Sequence, residues 1–146
     1  MFSKVLCLLY LVAISKRDTK TYTVTDASLI SLFITVFCQD ISKETSIKIL
    51  EKVICGILFF SIFLAVAVKT GGLGAGDAKL AGVLGYSVGF FKTNLIFIVA
   101  SVLGLIFFIY KKKILGKKIK KIAFVPFITI GYAVTEMLER KINAFI

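Results

Sequence analysis

The chain holds no histidine, and that absence excludes more chemistry than any residue present suggests. Ser-His-Asp and Cys-His nucleophile systems need an imidazole, as do the HExxH metalloprotease and most zinc sites. Cysteine is scarce as well. Cys7, Cys38 and Cys55 stand within or beside apolar runs, and no CxxC pair occurs. A disulfide framework or zinc cluster is not expected, and buried free thiols are. Charge is thin, with Asp, Glu, Lys and Arg making up 18% of the residues. Hydrolytic chemistry in such a chain has to come from carboxylates or from a Ser/Lys pair. Ser87 and Ser101 are the serines to weigh, but neither has a lysine at helical spacing. No metal and no cofactor is expected.

What the chain has in excess is apolar surface. Of its 146 residues 58% are hydrophobic, and the mean hydropathy is +0.95, far beyond an ordinary soluble domain. This predicts an all-α polytopic membrane protein, a single domain over residues 1–146. Apolar runs mark six transmembrane helices, at about 2–15, 27–38, 47–68, 78–91, 93–110 and 122–138. Only the third and fifth approach the roughly 20 residues that cross a bilayer unaided. "FFKTN" alone separates the fourth from the fifth, so a five-helix reading stands beside the six-helix one. The opening "MFSKVLCLLYLVAIS" has the charge and apolar core of a signal peptide. Its cleavage signal is poor, and it reads as the first spanning helix.

The net charge of +11 does not point to nucleic acid, because the cations fill short gaps between apolar runs. Most of them fall in 15–26, 69–79 and 111–121. The positive-inside rule puts those segments in the cytoplasm and both termini outside. "KKKILGKKIKK" reads as a solvated anchor against anionic headgroups. Small residues recur four apart, at Ala81, Gly85 and Gly89 and again at Ala100 and Gly104. Such stripes let helix backbones approach closely in lipid.

The acids near the helix ends carry the functional question. Asp18 lies just past the first apolar run, and Asp77 opens the fourth after a glycine-rich stretch. The charge count places both at the cytoplasmic membrane boundary. On the residues alone two readings stand. Asp77 caps its helix and Asp18 is a solvated loop charge, or the two form a protease pair that shares a proton. Asp26 reads as a plain N-cap of the second helix, and Asp40 lies at the opposite face.

"GLGAGDAKLAG" resembles the GxGD signature of the type IV prepilin peptidases, with its D-x-K-L extension, at Gly74, Gly76, Asp77, Lys79 and Leu80. In "RDTKTYTVTD", Val24, Thr25 and Asp26 follow Asp18 at the places of the family's Ile-Pro-Asn/Asp, with Thr25 where proline is usual. In "FVPFITIG", Phe124, Pro126, Phe127 and Gly131 are similar to the family's PF-x-PF-x-x-x-G run. The resemblance implies a membrane aspartyl endopeptidase with Asp18 and Asp77 as its dyad and no metal. Gly74 and Gly76 would shape the active-site loop. Lys79 would meet substrate or headgroups, or balance the dyad. The implied substrates are prepilins or pilin-like precursors, cut after the leader glycine at the cytoplasmic face of a bacterial inner membrane. The chain resembles the short, single-domain form associated with Flp-type pilins, and no S-adenosylmethionine site is recognisable. The competing expectation is a non-catalytic multi-spanning membrane subunit in which Asp77 is only a cap.

Overall fold

The computed structural model describes residues 2–21, 24–70, 74–113 and 123–145. They form helices α1 (Phe2–Thr21), α2 (Asp26–Lys43), α3 (Ser46–Thr70), α4 (Ala75–Val88), α5 (Phe90–Lys113) and α6 (Val125–Phe145). No strand occurs among the described residues. α3 and α5 are long and apolar enough to cross a membrane. Their outer faces leave Ile54, Ile57 and Ile62 of α3 and Ile98, Leu105 and Ile109 of α5 exposed. In water, faces of this kind would drive association. In hydrocarbon they are simply solvated.

α4 is the hub of the bundle. It packs most extensively on α3 and also touches α2 and α5, while α6 packs on α5 and α1. Glycines allow the two tightest contacts. A Cβ at Gly85 would stand 3.0 Å from the Cys55 carbonyl oxygen, and one at Gly56 would stand 3.0 Å from that of Gly82. Between α5 and α6, a Cβ at Gly131 would fall 2.6 Å from the Ile96 carbonyl oxygen. Joining helices in lipid gains little hydrophobic free energy, so such backbone-to-backbone packing carries the association. Gly85 and Ala100 belong to these contacts as the stripes suggest, and Ala81 is buried in the core. Gly56, Gly82 and Gly131 matter equally and lie outside the stripes.

Several expectations are corrected. Gly89 is not part of a packing stripe, since a Cβ there would meet nothing within 4 Å. Its φ of 81° is a conformation that favours glycine, and it ends α4 and lets α5 begin at Phe90. The break is therefore Gly89 alone, "FFKTN" forms the first turn of α5, and the helices number six among the described residues. α1 continues to Thr21, so Asp18 lies in its last turn rather than past its end. Thr25 takes the N-cap position of α2, which makes Asp26 its first helical residue and not its cap. Cys7 and Cys55 are buried free thiols, whereas Cys38 is exposed.

Ion pairs stitch the end of the bundle away from Asp18 and Asp77. Lys52 meets Asp40 at 3.0 Å between α3 and α2, and Lys92 meets Glu139 at 2.7 Å between α5 and α6. At the other end Lys111 folds over the Phe107 ring, 4.7 Å from its centroid, as lysines do when they snorkel along an apolar helix end. The remainder of the expected 111–121 loop lies outside the described residues.

Candidate active site

Asp18 closes a buried stripe. Cys7, Leu11, Ile14 and Asp18 follow at intervals of four, three and four, and each is buried, Asp18 being 5% exposed. Lys16 and Lys20 on the same helix face outward. The helical period that buries three apolar side chains thus carries a carboxylate inward at the helix end. Its partners come from α6. The backbone N–H of Val125 donates to Asp18 Oδ2 at 3.3 Å, and the N–H of Phe124 is directed to the same carboxylate. Phe124 accepts the first helical bonds of α6 from Phe127 and Ile128. Asp18 therefore meets the free donors of the first turn of α6, where the helix dipole favours an anion. Pro126 fits this turn because a first-turn position needs no N–H.

Asp77 is the third residue of α4, partly buried, with Gly74 at the N-cap position. The Gly74 N–H bonds back to its carboxylate, which is half of a capping box. A Cβ at Gly74 would lie 3.5 Å from Asp77 Oδ2, an ordinary contact. Gly76 has no such room, because its Cβ would come 2.9 Å from Val24 Cβ.

Both aspartates lie beyond the apolar spans 2–15 and 78–91, at one end of the bundle. Burial pushes the Asp77 carboxyl up, the charge of Asp18 pushes it further, and the Gly74 N–H opposes both, leaving it at about 6. Burial also raises Asp18, opposed by the N–H groups of Val125 and Phe124. Asp18 from α1 and Asp77 from α4 are thus close enough for one charge to act on the other. Like charges in such a site resist ionising together.

Lys79 is turned away from this pair. Two positions on from Asp77, it lies on another face of α4 and donates to both oxygens of Asp26, at 2.8 and 2.9 Å. Beside that ion pair a cavity of about 420 Å³ opens between α2 and α4, lined by Leu29, Ile30, Phe33 and Val83. It lies on the Lys79 side of α4, not on the Asp77 side. The serine alternative finds no support at Ser87, whose hydroxyl is spent on the carbonyls of Val83 and Leu84. Among the described residues no group of three or more Cys, Asp or Glu is placed to hold a metal ion.

The sequence reading missed the N–H groups of Phe124 and Val125 as partners of Asp18, and Asp26 as the partner of Lys79. The spacing 7, 11, 14, 18 was the signal for the first. Nothing local to Asp26 signalled the second.

Comparison with known proteins adds one finding. A family model described as the type IV leader peptidase family matches residues 5–109, a stretch that holds Asp18, Asp26, Asp77 and Lys79 but not α6. That family is polytopic in the membrane, in keeping with this all-α bundle. Searches of curated proteins and of solved structures each gave no match.

Proposed function

We propose, for a chain that belongs to the type IV leader peptidase family, that it is an aspartic endopeptidase with Asp18 and Asp77 as its catalytic dyad. The observation that carries this reading is a partly buried Asp77 within reach of the Asp18 charge, its carboxyl raised to about 6 by burial first and by that charge second. Such a pair takes up one proton between two carboxylates as pH falls through about 6, and that singly protonated form is the reactive one. Asp18, facing the N–H donors of α6, is the ionised member, and Asp77 is the protonated one.

The chemistry needs no metal and no histidine. Asp18 takes a proton from water as the water oxygen attacks the scissile carbonyl carbon, and Asp77 gives its proton to the carbonyl oxygen. The resulting diol collapses when Asp18 passes its proton to the amide nitrogen and the C–N bond breaks. Asp77 then recovers a proton from a diol hydroxyl. Gly76, with no side chain between α4 and Val24, holds the loop at the spacing that the dyad needs. The substrates are prepilins or pseudopilin-like precursors whose leader is removed at the cytoplasmic face of a bacterial inner membrane.

The test is leader removal from a co-expressed precursor. Asp18→Asn and Asp77→Asn should each abolish it, and wild-type cleavage by either variant overturns the dyad. The rival role of Asp77 as a helix cap has its own support in the Gly74 N–H bond. It predicts that Asn at position 77 preserves cleavage.

A further inference from the structure

Lys79 has no part in the chemistry above, yet both oxygens of Asp26 hold its ammonium, across 53 residues of sequence. The same short segment makes a second contact, Val24 against Gly76. At 100° per residue, Gly76 and Lys79 lie about 60° apart on α4, and Lys79 lies about 160° from Asp77. Both ties therefore grip the α2-facing side of the first turn of α4, away from the side that bears Asp77. A first turn lacks half its helical hydrogen bonds and frays unless something outside holds it. A dyad, in contrast, demands placement to a fraction of an ångström.

We propose that the Asp26–Lys79 ion pair and the Val24–Gly76 contact form a two-point clamp that positions Asp77 against Asp18. Asp26 and Lys79 are positioning residues and touch no reacting atom. The proposal rests on the peptidase reading for its activity arm only. The two side chains are 61% and 46% exposed, and an exposed pair adds little to overall stability, so breaking it leaves the fold standing. The ammonium is already neutralised by a carboxylate on two sides, which argues against a role as a phosphate or headgroup site.

The test uses the full chain in detergent, with Lys79→Met, Asp26→Asn, the double variant and Lys79→Arg. Lys48→Met, at the Glu44 pair of the opposite end, is the control. Two quantities are read: cleavage per folded enzyme, and the Asp77 titration followed by its infrared carbonyl band. The clamp predicts a fall in kcat of about 2- to 5-fold in each single variant, the most that a tie of an exposed pair's strength can hold, with KM little changed. It predicts no further fall in the double variant, and retention by Lys79→Arg. It also predicts that the Asp77 titration moves down from about 6 in both single variants, because Asp77 then stands further from Asp18. The other charges at this end, Lys16, Arg17 and Lys20 of α1, Lys69 of α3 and Lys111, Lys112 and Lys113 of α5, are the same throughout.

A direct charge effect has a different signature. Loss of the Lys79 cation would move Asp77 up and loss of the Asp26 anion would move it down, and that pattern overturns the clamp. So does an unchanged titration, or a loss of cleavage confined to Lys79→Met. If the unaltered chain cuts no precursor, the peptidase reading fails, and the infrared titration still decides the clamp.

Discussion

Asp77→Asn distinguishes a cap from a dyad by the sign of its effect on stability. In the folded chain the carboxyl titrates at about 6, against an ordinary value of 3.8. The folded state therefore binds a proton that the unfolded state has already released. Its contribution is fully present below pH 4 and is lost as pH rises through about 6. The difference corresponds to about 3 kcal/mol. An uncharged Asn escapes that loss, so at pH 7.5 the variant should unfold about 5–10 °C above the wild type while losing all cleavage. At pH 4 the two should coincide. A plain cap predicts the reverse, since Asn forfeits the charge–dipole term and lowers stability by about 0.3–1 kcal/mol above pH 5. Thermal unfolding in detergent, followed by circular dichroism between pH 4 and 8, measures the difference. A lower Tm for the variant at pH 7.5, or parallel pH curves, refutes the reasoning.

The glycine contacts give further expectations. Gly76→Ala forces a Cβ against the Val24 Cβ and should reduce cleavage at least 10-fold, and Val24→Gly in the same chain should restore much of it. Gly131→Ala drives a methyl group into the Ile96 carbonyl and should destabilise by about 1–3 kcal/mol in thermal unfolding. Gly104→Ala, whose Cβ meets only rings at 3.8 Å, should be near neutral in the same assay. Reporter tags placed in 111–121 should report from the cytoplasm, and an external location would put both aspartates on the wrong side for leader removal.

The sequence made the membrane class and a bundle of five or six helices readable, because apolar runs broken by short cationic gaps are solvated best as spanning helices. Helix ends were less readable. α1 runs on through Lys16, Arg17 and Asp18 because its inward stripe continues to position 18, although the composition there resembles a loop. At Gly89 one residue with a positive φ does what a five-residue linker was expected to do. The two aspartates could be placed at one membrane depth from charge counting, but depth says nothing about neighbours in the plane. Whether α1 and α4 present those carboxylates to one another depends on which helices meet. α1 packs on α6 and α2, and α2 packs on α4, pairings that no local pattern names.

Asp18 meets the Val125 N–H 107 residues further along the chain, in a helix beyond the stretch that the family model matches. The unit of resemblance and the unit of chemistry are therefore not the same. A chain shortened to its first five helices would keep both aspartates, the glycine loop, the ion pair beside it and the whole stretch that the family model matches. It would lack the helix end whose N–H groups face Asp18. Under the dyad proposed above, a fragment of this kind would match the family model and still be inert.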